Sequence, residues 1–137
     1  MFKIKSTITL VLIISIIFVW NLPPIAQDTH YHLFADKRTI LDIPNFWNVL
    51  SNLPFLFVGL AGLYGLLRSK KIQLMDEQKT ASVLFFFAVA WVAIGSGYYH
   101  LWPDNSTLLW DRLPMTVAFM ALFSIVLSEF VSTRFSK

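Results

Sequence analysis

Four apolar runs set the strongest limit on how this 137-residue chain can fold. They cover residues 8–22, 46–67, 80–101 and 113–131. The last three approach or reach the roughly 20 residues that a helix needs to cross a bilayer. Because 56% of the residues are hydrophobic and only 14% are charged, a soluble domain of this size could not bury so much apolar surface. The sequence therefore predicts an all-α, multi-pass transmembrane bundle of about four helices.

The first run is shorter than the others, follows Lys3 and Lys5, and precedes the stretch P-P-I-A-Q. We interpret it as a transmembrane helix, and a signal peptide cleaved after Ala26 is the alternative. The chain then divides into an N-terminal helix at residues 1–26 and a membrane domain at residues 27–137.

Lysine and arginine cluster at the ends of the apolar runs that face one side of the predicted membrane: Lys3, Lys5, Arg68, Lys70, Lys71, Lys79, Arg134 and Lys137. Such a bias favours the cytoplasmic side, so we expect both termini inside. Four tryptophans fall at the opposite boundary, as an aromatic belt would: Trp20, Trp47, Trp102 and Trp110.

The scattered basic residues argue against a nucleic-acid groove. The absence of cysteine excludes thiolate ligands and a cysteine nucleophile.

Polar residues converge at the predicted outer end of the last two runs. Ser96 and His100 are four residues apart, so they share one face of a helix with about 6 Å of rise between them. Asp111 is expected to open the fourth helix, close to His100 in depth. Each residue alone has a structural explanation, such as a backbone hydrogen bond for Ser96 or a helix start for Asp111. Because polar groups at membrane depth are expensive, their convergence predicts a functional site.

A second polar set lies near the same boundary in the second run, where Asn48, Ser51 and Asn52 follow helical i, i+3, i+4 spacing. These side chains are candidates for hydrogen bonds between helices or for a polar cluster beside the site. In the same run, Gly62 and Gly65 are predicted to allow close helix packing.

The residue types at the site bear on three kinds of chemistry. Ser96, His100 and Asp111 are the residue types of a serine-hydrolase triad, but the G-x-S-G motif of the rhomboid proteases fails because Ile94 lies two residues before Ser96. Haem would need histidines on facing helices, and only His100 is clearly on one. Imidazole and carboxylate suit zinc, so the residues favour a metal site.

The pattern S-x-x-x-H with an aspartate eleven residues later, the segment L-L-W-D-R-L-P-M and the segment N-F-W-N-V-L-S-N resemble the alkaline ceramidase family. Its wider membrane-hydrolase superfamily includes the adiponectin and progestin receptors. The resemblance covers residues from about 36 to 120. It implies a seven-helix bundle, a zinc ion with His100 as one of three histidine ligands, and a ceramide-like lipid amide as substrate. It also implies that Ser96 stabilises the oxyanion and that Asp111 transfers protons.

The sequence departs from the family pattern in two places. The family's other two zinc histidines form an H-x-x-x-H motif in its last helix, which is absent here. We therefore expect either an N-terminal portion of a longer protein, whose further helices carry the missing ligands, or a shortened relative. In a shortened relative, His30 and His32 or a neighbouring protomer in an oligomer would replace the missing histidines. The family's calcium site precedes F-W-N, and the candidates at different spacing are Asp36, Asp42 and Asn45.

Two functional hypotheses follow. The first is a zinc-dependent hydrolase of a lipid amide, with Ser96 and Asp111 as catalytic residues. The second is a non-catalytic membrane protein that uses the same polar cluster to bind lipid or to pack with partner helices. Removal of the metal distinguishes them, because only the first needs zinc.

Overall fold

The computed structural model describes residues 2–23, 25–69, 74 and 76–132. This part of the chain contains five α-helices: α1 (Phe2–Trp20), α2 (Phe46–Leu50), α3 (Leu53–Arg68), α4 (Asp76–Leu101) and α5 (Asn105–Leu127). A 3₁₀ turn at Thr29–His32 precedes α2, and a π-helical turn at Ser128–Ser132 follows α5. Within the described ranges, extended pairing is limited to one isolated bridge between Ile40 and Ile43. The predicted all-α class is confirmed.

Three stretches of the described chain are long and apolar enough to cross a membrane: Phe46–Arg68, Gln78–Leu101 and Asn105–Phe130. They contain the second and third apolar runs and all but the last residue of the fourth, so the multi-pass prediction is confirmed. The apolar helical stretch Ser6–Trp20 in α1 is shorter than these spans. Its membrane crossing, the boundary at residue 26 and the orientation stay predictions. Four basic residues used for the orientation lie outside the described residues: Lys70, Lys71, Arg134 and Lys137.

Helix α4 is the centre of the bundle. About a third (33%) of its most apolar window is buried inside the protein, against 11% for the spans containing α3 and α5. Small residues allow α3 to approach it closely. A Cβ atom on Gly59 would overlap the backbone of Ala90, and one on Gly62 would overlap the ring of Phe86. The predicted packing role is therefore met at Gly62, and Gly59, one turn earlier, has the same role.

Helix α5 begins at Asn105, eight residues before the apolar run that was expected to define it. Asp104 is the N-cap, and its carboxylate accepts hydrogen bonds from the backbone N–H groups of Ser106 and Thr107 at 2.6 and 2.8 Å. The Thr107 hydroxyl accepts one from the Asp104 N–H at 3.1 Å, which completes a capping box. The hydropathy pattern did not predict this first turn of α5, because its residues are polar. Asp111 therefore lies in the second turn of α5, and the expectation that it opens the helix was wrong.

The span Phe46–Arg68 is interrupted at Ser51 and Asn52, between α2 and α3. The Ser51 hydroxyl and the Asn52 side-chain amide both donate to the Asn48 carbonyl, at 2.9 and 2.8 Å. The Asn48 side chain donates to the Asp36 carbonyl at 2.9 Å. These hydrogen bonds go to the backbone of α2 and of the segment before it. Of the two alternatives for these side chains, these hydrogen bonds do not link spanning helices, because the break offers nearer carbonyl groups. Their role as a polar cluster beside the site stays a prediction.

Candidate functional site

A close crossing of α4 and α5 brings Ser96 and Asp111 near each other. Pro114 lies inside α5 and has no N–H group, so the carbonyl of Trp110 lacks its usual partner four residues later. That carbonyl lies against Gly95 of α4, where a Cβ atom would overlap it. Pro114 is fully buried at the same crossing. Ser96 and Asp111 each follow one of the two contacting residues, so both lie beside this crossing.

His100 lies one helical turn beyond Ser96 on α4, on the same face. Ser96 is buried, and both His100 and Asp111 are half-buried. Asp111 directly follows Trp110, whose carbonyl lies against Gly95, five residues before His100 on α4. The structure thus gathers the three predicted residues at the end of the bundle where α4 meets α5, which we call the α4–α5 end.

The segment at residues 27–38, which we call the cover segment, folds over this end. The Phe34 ring packs on the His100 imidazole with 4.7 Å between ring centroids, and it meets the Tyr99 ring edge-on at 5.7 Å. Beyond the segment, the Asn45 side-chain amide donates to the His100 carbonyl at 2.9 Å. His100 is therefore held through both its ring and its backbone.

The two histidines of the cover segment have different surroundings. His32 Nδ1 forms a hydrogen bond with the Tyr99 hydroxyl at 3.0 Å, and its ring is half-buried. His30 is exposed, and its backbone N–H donates to the Asp28 carboxylate that caps the 3₁₀ turn. Across the described residues, no three His, Asp or Glu side chains form a group that could hold a metal. His32 thus lies beside the end of α4, and the set His30, His32 and His100 is not assembled.

Two buried side-chain nitrogens in the described part of the chain have no hydrogen-bond partner: His100 Nδ1 and His32 Nε2. A buried polar atom without a partner costs about 1–3 kcal/mol, and a ligand at His100 Nδ1 would remove that cost. The unprotonated nitrogen of a neutral imidazole binds zinc. His100 therefore fits the role of a zinc ligand.

The three calcium candidates are engaged elsewhere. Asp36 pairs with the Arg38 guanidinium through contacts of 2.7 and 3.1 Å, which holds the pKa of its carboxyl group below the ordinary value. Asn45 adopts a left-handed conformation and points its amide to His100. Asp42 is exposed in the left-handed turn before it. In the described structure they do not converge on one cation site.

Sequence reasoning missed Tyr99, Phe34 and Gly95. Tyr99 is only 3% exposed and links His32 to the helix that carries His100. Gly95 and Pro114 were visible as a small residue and a helix-interrupting residue, but their contact depends on the register between two helices. Phe34 gave no signal, because the sequence does not reveal which helix a loop aromatic ring covers.

The arrangement combines one unpaired imidazole nitrogen, one buried hydroxyl and one carboxylate. Such a set offers one nitrogen of the kind that ligates zinc, a hydroxyl that can donate a hydrogen bond to a developing oxyanion, and a carboxylate that can transfer a proton. These are the requirements for hydrolysis of an acyl bond.

A protein-family model described as Ceramidase matches residues 39–137. No curated protein and no solved structure gives a significant match. The matched residues contain α2 to α5 with Ser96, His100 and Asp111, whereas α1 and the cover segment precede them.

Proposed function

This chain belongs to the ceramidase family, and from that premise we propose that it hydrolyses the amide bond of a ceramide-like lipid inside the bilayer, with zinc as cofactor. Family membership supports the ceramide-hydrolysing role. The zinc requirement, the residue roles and the approach of the lipid are our proposal. The observation that carries it is the buried, unpaired Nδ1 of His100, one helical turn after Ser96 and near the α4–α5 crossing next to Asp111.

His100 would be one zinc ligand, since its unpaired nitrogen offers a lone pair away from water. A zinc ion supplies Lewis acidity for the amide carbonyl and for the attacking water. Further ligands would come from a second copy of the chain or from a further segment, because the described residues supply no set of three.

Ser96 and Asp111 would carry out the proton and charge steps. The Ser96 hydroxyl donates a hydrogen bond to the carbonyl oxygen as negative charge develops on it. Asp111 takes a proton from the attacking water and passes it to the leaving nitrogen as the carbon–nitrogen bond breaks. The products are a fatty acid and a long-chain amine.

The lipid would enter from the side rather than from water. Large apolar side chains on α3 and α5 are exposed, among them Phe57 and Phe119 at 66% each, which suits contact with acyl chains. The cover segment lies over His100 through the ring of Phe34. A lipid amide reaching the site between helices keeps its acyl chains in the hydrocarbon layer.

The test is hydrolysis of a long-chain ceramide by the purified chain in lipid nanodiscs, with zinc per protomer measured on the same sample. We expect fatty acid release that stops after chelation and returns with zinc. Ser96→Ala should lower the rate by roughly 10²–10³-fold, and Ser124→Ala, whose exposed hydroxyl bonds only the Met120 carbonyl among the described residues, is the matched control. Release that is absent, or unaffected by chelation, overturns the proposal.

One observation favours a second candidate. Because no three-ligand metal group occurs among the described residues, the polar cluster would also suit a non-catalytic protein that binds a lipid headgroup or partner helices. That protein would bind ceramide equally well before and after chelation and release no fatty acid.

A further inference from the structure

We propose that His32 is a positioning residue of this site, acting through Tyr99 to fix the end of α4 that carries His100. The expected effect of His32 on catalysis rests on the proposed function. The fixing of the end of α4 by His32 rests only on the contacts described below.

The end of α4 needs external support. His100 is the penultimate residue of the helix, and the last carbonyl groups of a helix have no partners within it. Helix ends fray for this reason. A residue that binds a metal or substrate must nevertheless keep its position to within about 0.5 Å. The support must therefore come from other segments.

His32 supplies a directed contact at this point. Its Nδ1 bonds the hydroxyl of Tyr99 at 3.0 Å, and the two rings meet edge-on at 5.9 Å. Tyr99 is nearly fully buried and directly precedes His100. Phe34, two residues after His32, packs on both Tyr99 and His100. The cover segment therefore holds the last turn of α4 by a hydrogen bond and by ring packing.

The cover segment is itself anchored, so His32 is not a loose loop residue. Its first residue, Gln27, exchanges two backbone-to-side-chain hydrogen bonds with Asn105 of α5, at 2.8 and 3.2 Å. The Arg112 guanidinium lies over the Tyr31 ring, 5.5 Å from its centroid. At the other end, the Asp36 carbonyl accepts from Asn48. Helices α5 and α2 thus fix the segment on both sides of His32.

This contact belongs to the part of the chain that precedes the family match at residues 39–137. The family pattern therefore does not account for His32.

The two ring nitrogens of His32 make the proposal testable. Nδ1 is bonded to Tyr99, whereas Nε2 is buried and unpaired. The side-chain amide of asparagine reaches about as far as Nδ1, and that of glutamine about as far as Nε2. A positioning role through Nδ1 predicts that His32→Asn restores what His32→Ala loses. A direct ligand role of Nε2 predicts that asparagine fails and that zinc is lost.

The experiment uses the full chain in nanodiscs with variants His32→Ala, His32→Asn, His32→Gln and Tyr99→Phe, and with His30→Ala as the exposed control from the same turn. Amide hydrogen exchange at residues 98–102 is measured with kcat, KM and zinc content. In His32→Ala we expect faster exchange there and a kcat lowered roughly tenfold, with KM within about twofold. His32→Asn should restore the wild-type exchange rate and kcat. The double variant of His32→Ala with Tyr99→Phe should be no more impaired than either single variant.

Unchanged exchange in His32→Ala overturns the positioning role, whether or not the chain hydrolyses ceramide. Rescue by glutamine but not by asparagine also overturns it and assigns His32 a direct contact through Nε2. Absence of hydrolysis in the wild-type chain overturns the proposed function instead, and the exchange data still decide the role of His32.

Discussion

At Gly95, one missing methyl group determines whether the site can form. The Trp110 carbonyl occupies the place where a side chain at residue 95 would begin, and Pro114 leaves that carbonyl without its helical partner. Glycine therefore lets α4 and α5 approach at the level of Ser96 and Asp111. Gly97, two residues later, has no neighbouring atom within 4 Å of the same position apart from its own helix.

These two glycines make a matched pair. We expect Gly95→Ala to destabilise the protein by about 1–3 kcal/mol through overpacking against backbone. Gly97→Ala should be neutral or stabilising by up to about 1 kcal/mol through its helix propensity. Thermal unfolding of both variants in one detergent checks the difference. Equal effects at the two positions would contradict the close crossing.

At the residue scale, helical periodicity was enough to predict that Ser96 and His100 share a face, because a four-residue spacing fixes it. The position of Asp111 near the site was predicted only from its expected depth in the membrane. The predicted start of α5 was wrong, but Asp111 in the second turn of the helix is still close to the crossing. The contacts of Tyr99 with His32 and Phe34 could not be predicted, because they join residues 65 to 67 positions apart.

At the element scale, the start of α5 shows where hydropathy fails and side-chain chemistry succeeds. The sequence D-N-S-T carries a capping signal at Asp104, but the apolar run begins eight residues after Asn105. In the same way, the break between α2 and α3 depends on Asn48, Ser51 and Asn52, which bond backbone carbonyls rather than another helix.

The cap predicts a pH dependence. Hydrogen bonds from the Ser106 side chain and the Thr107 backbone hold the pKa of Asp104 below its ordinary value near 3.9. The carboxylate therefore stabilises the fold fully above that value, and this contribution is lost as pH falls through the lower pKa of the folded state. Asp104→Ser keeps an uncharged cap, so its Tm should lie below that of the wild type at pH 7, and the gap should narrow near pH 3. A gap independent of pH would contradict the assignment.

At the scale of the whole molecule, composition and run length were sufficient to predict a multi-pass helical protein, because a bilayer fixes the length of an apolar helix. The three spans confirm this. The position of α4 at the centre of the bundle was not predicted, because the three spans have nearly the same mean hydropathy. The orientation of the termini is still a prediction from the placement of lysine and arginine.

The lack of native cysteine makes the orientation measurable with single-cysteine variants. Leu41 is 84% exposed in the turn before α2, at one end of the span Phe46–Arg68. Ser69 caps the C-terminal end of α3, at the other end of that span. In intact cells, an impermeant maleimide should label Leu41→Cys directly and Ser69→Cys only after the membrane is opened. The reverse pattern would show that the site faces the cytoplasm.

The most direct test of the central claim, that the α4–α5 end is a hydrolytic site, is fatty acid release from a long-chain ceramide in proteoliposomes by the wild-type chain and by Asp111→Asn. Asparagine has nearly the shape of aspartate but cannot take a proton. We predict that its rate falls by roughly 10²–10⁴-fold, with zinc content and Tm unchanged. Release by Asp111→Asn at the wild-type rate would contradict the claim, because hydrolysis would then not depend on this carboxylate.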